Sequence, residues 1–442
     1  MTGVHLLTRG QRHLGGLWRE AVSSTTRRLW DPVLVGVLSP LLILYASVTL
    51  WNWPAGWVAD ELRYVRFACK LCQGGYALED DDYLWNGPGF PLVIAAWMAA
   101  GLPPAWARVA NAGLLFAGVV LFAHLMALHV PRRWAAGAGW AMGLHWPLFP
   151  SLGRLMTESL ALCLVCGWFL AGTLALRDRR PAATISAGLL LGWLALTKVF
   201  FGYVLLAGLL AYVLLLAIRP QSAAVRRMAV IHLMGLVTTV PYLAYTYYLT
   251  GKVFYWSNSG GLSLYWMSTP YREEWGDWFH PLDVRQRREL ARHRPFFESI
   301  ADHSPVAKDQ AYRRQAMVNI RSHPAKFLTN VLANVSRMWF SFPYSYTPQK
   351  LGTLFYVLPN SLLLSGLAVS AVIFGARRPP AAREIHFVIV FMCLTLSGSS
   401  LLSAYARMLD PLVPGAYLLL GIAAHAAWGE TPAEASRLRS RG

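Results

Sequence analysis

Ten long uncharged apolar runs divide this 442-residue chain. A helix of about 20 apolar residues crosses the hydrocarbon core of a bilayer, so runs of this length predict membrane spans. The composition agrees, since 55% of the residues are hydrophobic and only 14% are charged. We therefore predict an all-α polytopic membrane protein with about ten transmembrane helices. The predicted spans are 33–53, 109–131, 134–153, 159–176, 181–197, 199–218, 228–251, 351–376, 385–406 and 411–429.

Basic residues predict the orientation of these spans. With both termini in the cytoplasm, each short inner loop carries two or more arginines, whereas the short outer turns carry only Arg154, Lys198 and Arg407. This is the distribution that the positive-inside rule describes, and it explains the net charge of +18 without a nucleic-acid partner. An eleventh uncharged run, 83–107, would place the basic loops on opposite faces if it spanned. We expect it to be re-entrant or interfacial on the outer side.

The spans and loops define the expected organisation of the chain. Residues 1–32 form a cytoplasmic basic arm, and 33–251 hold seven spans with a first outer loop at 54–108. A second outer loop, 252–350, contains 14 Lys and Arg residues and is expected to carry interfacial helices. Its stretch 326–342 has near-helical apolar spacing and is predicted to lie on the membrane. The last three spans occupy 351–429, and 430–442 form a cytoplasmic tail.

Charged residues collect at the predicted outer ends of the spans. Charges near hydrocarbon are costly and usually have a partner or a function. Acids and bases from separate parts of the chain at one membrane level predict a pocket that handles protons and binds an anion. The alternative is that each is an interface residue that reaches to water. These residues are Asp60, Glu61, Arg63, Arg154, Glu158, Lys198 and Arg407.

Several short motifs resemble those of a known superfamily. Asp60-Glu61-Leu62-Arg63-Tyr64 follows the first span, and Asn86-Gly87-Pro88-Gly89-Phe90-Pro91-Leu92 comes later in the same loop. In order along the chain these resemble the opening of the C-type glycosyltransferases, which include protein O-mannosyltransferases and lipid A aminoarabinose transferases. Further similar elements are 154–159, 196–198, 257–265, 320–324 and 405–412. Two differences stand out: Glu158 is at a position where relatives often have Asp, and Met408-Leu409-Asp410 replaces a more basic, aromatic string.

The resemblance implies an inverting transfer of a sugar from a polyprenyl-phosphate donor to an acceptor hydroxyl at the outer face of the membrane. In this hypothesis Asp60 is the catalytic base, which takes the proton of the acceptor hydroxyl. Glu61 and Glu158 are assigned to the catalytic set, although Glu158 is explained equally well as a negative charge at a helix N-terminus. Fixed cations stabilise the phosphate leaving group. They are Lys198 and Arg407, supported by Arg63 and Arg154, and the expected substrate-binding residues are Tyr64, Tyr265 and Tyr405.

The partners expected from this hypothesis are a polyprenyl-phosphate-linked sugar donor, a glycan, lipid or protein acceptor, and membrane lipids. The sequence does not decide whether a cofactor is needed; a divalent cation, if one is used, would be bound by Asp60 and Glu158. The Arg- and Ala-rich composition suggests a bacterial plasma membrane, with the site facing the periplasm.

Two other classes remain open on the sequence alone. A membrane oligosaccharide polymerase or ligase would also have many spans and a large outer loop, but would use a diphosphate-linked donor. A lipid flippase or transporter would tend to have ionisable groups near the middle of the membrane and repeat symmetry. Here the charges lie at the outer ends of the spans instead.

Overall fold

The computed structural model describes residues 31–58, 60–377 and 383–428. The predicted cytoplasmic tail lies outside these residues, as does the basic arm apart from Asp31 and Pro32. The described ranges contain helices and turns but no β-strand. The helices are α1 Pro32–Trp51, α2 Glu61–Cys72, α3 Gly89–Ala99, α4 Arg108–Ala127, α5 Arg132–Gly143, α6 Glu158–Asp178, α7 Pro181–Thr197, α8 Phe200–Ile218, α9 Ala223–Thr250, α10 Gly260–Met267, α11 Pro281–Gln286, α12 Arg294–Ser299, α13 Pro305–Ser322, α14 Pro324–Phe340, α15 Leu354–Arg377, α16 Arg383–Ser400 and α17 Val413–Trp428.

The described part of the chain is a multi-pass membrane protein, as predicted. Seven helical segments are long and apolar enough to cross a bilayer: α1, α4, α6, α8, α9, α15 and α17, three of them extended by a 3₁₀ turn. Two shorter apolar helices, α7 and α16, match the fifth and ninth predicted spans. The all-α polytopic fold class is therefore confirmed.

Two of the uncharged runs, the predicted third span and the run 83–107, form only short helices. The predicted third span begins as α5, which has 12 residues and ends at Gly143, and a 3₁₀ turn follows at Trp146–Ser151. Pro147 and Pro150 lie in this turn, and proline does not donate the backbone hydrogen bond that an α-helix needs. In the run 83–107 only the 11-residue helix α3 and a short 3₁₀ turn form. At 1.5 Å per residue α3 is about 16 Å long, too short to span about 30 Å of hydrocarbon.

Two hydrophobic cores organise the molecule. The larger core joins the membrane helices to the first outer loop, and α6 lies at its centre with Trp168 and Phe169 buried against Phe387 and Phe391. The smaller core lies within the second outer loop, where α10 to α13 pack around Trp266. The second outer loop therefore folds around its own apolar centre.

A close backbone approach joins the first outer loop to the end of α7. A Cβ atom at Gly89 would lie 2.6 Å from the backbone nitrogen of Thr197, and one at Gly87 would overlap the carbonyl oxygen of Leu196. Only glycine allows backbones to approach this closely. The turn that carries Asn86 is thereby fixed against the turn that carries Lys198.

Candidate active site

The charged residues predicted at the outer ends of the spans converge on one cavity of about 890 Å³. Its walls come from the start of α2, both outer loops, the turn before α6, the turn between α7 and α8, the start of α15 and the segment before α17. Helix ends and connecting loops therefore bring together residues that are far apart in sequence. Of the ten predicted site residues, eight line the cavity: Asp60, Arg63, Tyr64, Arg154, Glu158, Lys198, Tyr405 and Arg407.

Asp60 stands at the N-cap position of α2, where its side chain makes no capping hydrogen bond and instead receives one guanidinium group on each carboxylate oxygen. Arg63 lies 2.7 Å from Oδ1, and Arg407 lies 3.0 Å from Oδ2. Burial alone would raise the pKa of Asp60, but Arg407 and Arg63 outweigh it and hold the pKa below its usual value. Asp60 is therefore ionised at neutral pH, which is the state that accepts a hydrogen bond or a proton.

Arg63 is oriented by a set of contacts from the first outer loop. Its Nε donates to Asn86 Oδ1 at 2.7 Å, and its Nη1 lies 3.4 Å from Asp82. Its guanidinium also lies over the ring of Trp85 at 5.4 Å. The Asn86 amide in turn donates to the hydroxyl of Tyr64 at 3.3 Å. These contacts explain why the Asn86 turn accompanies the motif around Asp60.

Glu158, the first residue of α6, provides the second carboxylate of the cavity. Its Oε1 lies 3.0 Å from Nζ of Lys198 and 3.8 Å from Nε of Arg407. Its Oε2 is buried and has no hydrogen-bond partner among the described residues. Arg407 thus lies between the carboxylates of Asp60 and Glu158, and links the two halves of the site.

Arg154 differs from the other cations of the cavity. It is exposed to the cavity, and no carboxylate among the described residues lies within ion-pair distance of its guanidinium. Arg63, Arg66, Lys198 and Arg407 each have such a partner. Arg154 is therefore available to an anion that enters the cavity.

Glu61 is fully buried and does not line the cavity. Its two oxygens receive the guanidinium of Arg108, with Nε and Nη2 both at 2.8 Å. They also accept the backbone N–H groups of Leu155 at 2.7 Å and Val58 at 2.8 Å. These four hydrogen bonds tie the loop before α2 to α4 and to the 154–158 turn. The geometry gives Glu61 a bracing position behind Asp60 rather than one that touches substrate.

Tyr265 also lies away from the cavity. It is buried in the core of the second outer loop, where its hydroxyl bonds to Nδ1 of His293 at 2.7 Å. The other ring nitrogen of His293 contacts the carboxylate of Glu274 at 2.9 Å. Tyr405 does line the cavity, and its hydroxyl donates to the carbonyl of Trp278 at 3.3 Å.

Several cavity residues were not predicted as site residues. Asp410 belongs to the 405–412 motif and is buried in the cavity wall, so its motif was the available signal. His280, Tyr344 and Tyr356 carried no signal, because only the folding of the second outer loop and α15 places them beside the cavity.

The carboxylates of the cavity are arranged around cations. Among the described residues there is no group of three or more His, Cys, Asp or Glu side chains that could hold a metal ion. Asp60 and Glu158, the pair expected to hold a divalent cation if one is used, are each bound by arginine or lysine. This arrangement does not fit a metal bound by protein carboxylates alone.

Comparisons with solved structures identify the fold. The chain superimposes on the apo oligosaccharyltransferase from Archaeoglobus fulgidus with a TM-score of 0.54, at 12% identity over 92% of this chain and 52% of that one. It also matches ArnT from Cupriavidus metallidurans bound to undecaprenyl phosphate, with a TM-score of 0.48 and 16% identity over 92% of this chain and 62% of that one. The chain thus spans about half the length of the oligosaccharyltransferase and about three fifths of ArnT.

No family model matches the sequence, and no curated protein matches it. The likeness to the apo oligosaccharyltransferase shows that this chain shares its fold. In this chain the fold is a set of membrane helices with a cavity at their ends.

Proposed function

We propose that this protein is an inverting glycosyltransferase, which moves a sugar from a polyprenyl-phosphate donor to a hydroxyl of a glycolipid, polysaccharide or protein. The observation that carries the proposal is the position of Asp60. Its ionised carboxylate lies in a cavity at the ends of membrane helices, between two arginines and close to further cations. The cavity thus offers a proton acceptor and an anion site together, on a fold shared with an oligosaccharyltransferase.

Asp60 serves as the general base. The acceptor oxygen attacks the anomeric carbon, a new C–O bond forms, and the bond from that carbon to the phosphate oxygen breaks. The electron pair of the broken bond leaves with the phosphate, and the acceptor proton moves to Asp60. Attack from the side opposite the leaving group inverts the anomeric centre. A positioned base of this kind contributes about 10²–10⁴ in rate.

The cations stabilise the leaving phosphate. Lys198 and Arg407 lie on the Glu158 side of the cavity, and Arg154 adds a guanidinium without an ion pair among the described residues. A phosphodiester donor brings one negative charge, which one unpaired cation can balance, whereas a diphosphate brings more. This supports a monophosphate-linked donor over the diphosphate-linked donor of a polymerase or ligase.

Glu158 supports the reaction from the other end of the cavity. Its free oxygen, Oε2, accepts a hydrogen bond from a hydroxyl of the substrate, since no described residue occupies it. Glu61 acts indirectly, by bracing the backbone around Asp60. We place the site on the outer face of a plasma membrane, in agreement with the arginine distribution of the short loops.

The decisive experiment compares sugar transfer by wild type and Asp60→Asn in membranes supplied with polyprenyl-phosphate sugars. We expect Asp60→Asn to bind the lipid donor but to lose at least 100-fold of the transfer rate, because the amide cannot accept the proton. Glu79→Gln is the matched control, since Glu79 is exposed in the same loop and pairs with Lys70, and neither residue lines the cavity. A fully active Asp60→Asn would overturn the proposal.

A further inference from the structure

Helix α14 has an unusual distribution of polar and apolar side chains. Leu328 and Leu332 are exposed, with 59% and 64% of their surface accessible. Asn330, Asn334 and Arg337 are fully buried on the opposite face. The helix therefore presents apolar residues outward and directs a row of polar side chains into the protein. Buried polar groups in proteins are almost always hydrogen-bonded. The hydrogen-bond partners of Asn330, Asn334 and Arg337 therefore indicate what these side chains do.

Asn334 binds the backbone of the segment that follows α16. Its Nδ2 donates to the carbonyls of Ser399 at 3.0 Å, Ser400 at 3.1 Å and Leu402 at 2.7 Å. Its Oδ1 accepts the N–H of Ala404 at 2.9 Å. One side chain thus holds both ends of the 399–404 segment.

Arg337, one helical turn after Asn334, binds the same backbone segment. Its Nε donates to the carbonyl of Ala404 at 2.9 Å, and its Nη2 donates to Oδ1 of Asn334 at 2.7 Å. Its Nη1 contacts the carbonyls of Pro343 at 2.9 Å and Trp275 at 3.3 Å. The guanidinium of Arg337 therefore links three separate loop segments, those of Ala404, Trp275 and Pro343.

The segment that these two side chains hold leads directly into the cavity wall. Tyr405 follows Ala404, and Arg407, the ion-pair partner of Asp60, comes two residues later. We propose that Asn334 and Arg337 are positioning residues for the transfer reaction, which place the Arg407 guanidinium against Asp60 by fixing the 399–404 backbone. This inference rests on the proposed function.

The chemistry of Arg337 favours positioning over simple packing. No carboxylate of the described residues lies within ion-pair distance of its guanidinium, so a full positive charge is buried against three backbone carbonyls and the amide oxygen of Asn334. Burying a charge in this way is costly, and an apolar side chain of similar volume would pack the helix at lower cost. What the apolar residue cannot supply is a fixed set of directional contacts to three loops.

The test uses Arg337→Lys, which keeps the charge and loses the fork. We expect kcat to fall about 10–100-fold, because displacement of a catalytic group by about 1 Å has effects of this size. We also expect the acidic limb of the kcat/KM profile to move to higher pH. Asp60 faces Arg63, Arg407, Tyr64 and Glu158, and a displaced Arg407 stabilises its ionised form less.

Arg292→Lys is the matched control, an exposed arginine of the same outer loop that should leave both quantities unchanged. The proposal is overturned if Arg337→Lys leaves kcat and the acidic limb unchanged. It is also overturned if kcat falls only in proportion to the folded fraction while the limb stays in place, since that is the behaviour of a purely structural residue.

Hydrogen–deuterium exchange separates this inference from the proposed function. The N–H of Ala404 is donated directly to Asn334, so Asn334→Ala and Arg337→Lys should accelerate exchange in peptides covering 399–407. If wild type transfers no sugar but exchange accelerates, the proposed function fails and the hold on the segment stands. Unchanged exchange in both variants overturns the inference, whatever the activity.

Discussion

Asp60 and Arg407 are 347 residues apart in the chain, and their side chains meet at 3.0 Å. The first outer loop supplies the carboxylate, and the turn before α17 supplies the guanidinium. The contact therefore joins two distant parts of the chain at the cavity wall. It also sets the ionisation of Asp60, from which the first prediction follows.

The pH dependence of transfer should report Asp60. The active form is ionised, so activity is lost as the pH falls through the pKa of Asp60, which lies below its ordinary value of 3.8. Arg63→Gln removes one of the two guanidinium groups that lower this pKa, while Arg407 and the neighbouring Tyr64 and Glu158 remain. We expect the acidic limb of kcat/KM to move to higher pH. A limb that does not move in this variant would contradict Asp60 as the base.

Arg154→Gln should weaken the binding of the phosphate donor. The variant removes the guanidinium that has no ion pair within the described chain, and a hydrogen bond to a charged group is worth about 1.5–3 kcal/mol. We therefore expect KM for the lipid donor to rise about 10–100-fold, with a smaller change in stability. Titration with polyprenyl phosphate measures the effect directly, and Arg292→Gln serves as the control. Equal affinity in wild type and Arg154→Gln would show that Arg154 does not bind the donor.

Glu61→Gln should act through stability. Removing one partner of a buried ion pair costs about 3–5 kcal/mol, because the remaining guanidinium of Arg108 is left buried without its counter-charge. We expect a lower Tm in detergent, and KM values close to wild type for the molecules that fold. The double variant Glu61→Gln/Arg108→Met should recover part of the loss. A normal Tm with abolished turnover would instead return Glu61 to the catalytic set.

Tyr265→Phe should leave substrate binding unchanged. The variant loses the hydrogen bond to His293 in the core of the outer loop, a loss of about 1 kcal/mol. Tyr405→Phe is the comparison, since Tyr405 lines the cavity. Thermal unfolding and donor KM, measured on both variants, separate the two roles. An altered KM in Tyr265→Phe with an unchanged one in Tyr405→Phe would contradict the placement of these tyrosines.

Much of the architecture was predictable because membrane spans obey a local rule. A run such as 228–251 must bury its backbone polar groups in a helix whatever else the chain does, so length and apolarity suffice to predict α9. The third span was harder to predict, since α5 ends at Gly143 and a proline-containing 3₁₀ turn follows although the run stays uncharged. Apolarity alone does not distinguish a continuous helix from one that ends early.

The sequence by itself determined that charges would gather at the ends of the helices, because hydrocarbon excludes them from the middle of a span. It did not decide which of these charges share a cavity. Asp60 and Glu61 are neighbours in one motif, yet one carboxylate faces the cavity and the other is buried behind it against Arg108. The role of the buried polar side chains of α14 could not be predicted either, because their partners are backbone carbonyls far along the chain. Only tertiary packing decides such contacts, since they depend on where distant backbone segments come to lie.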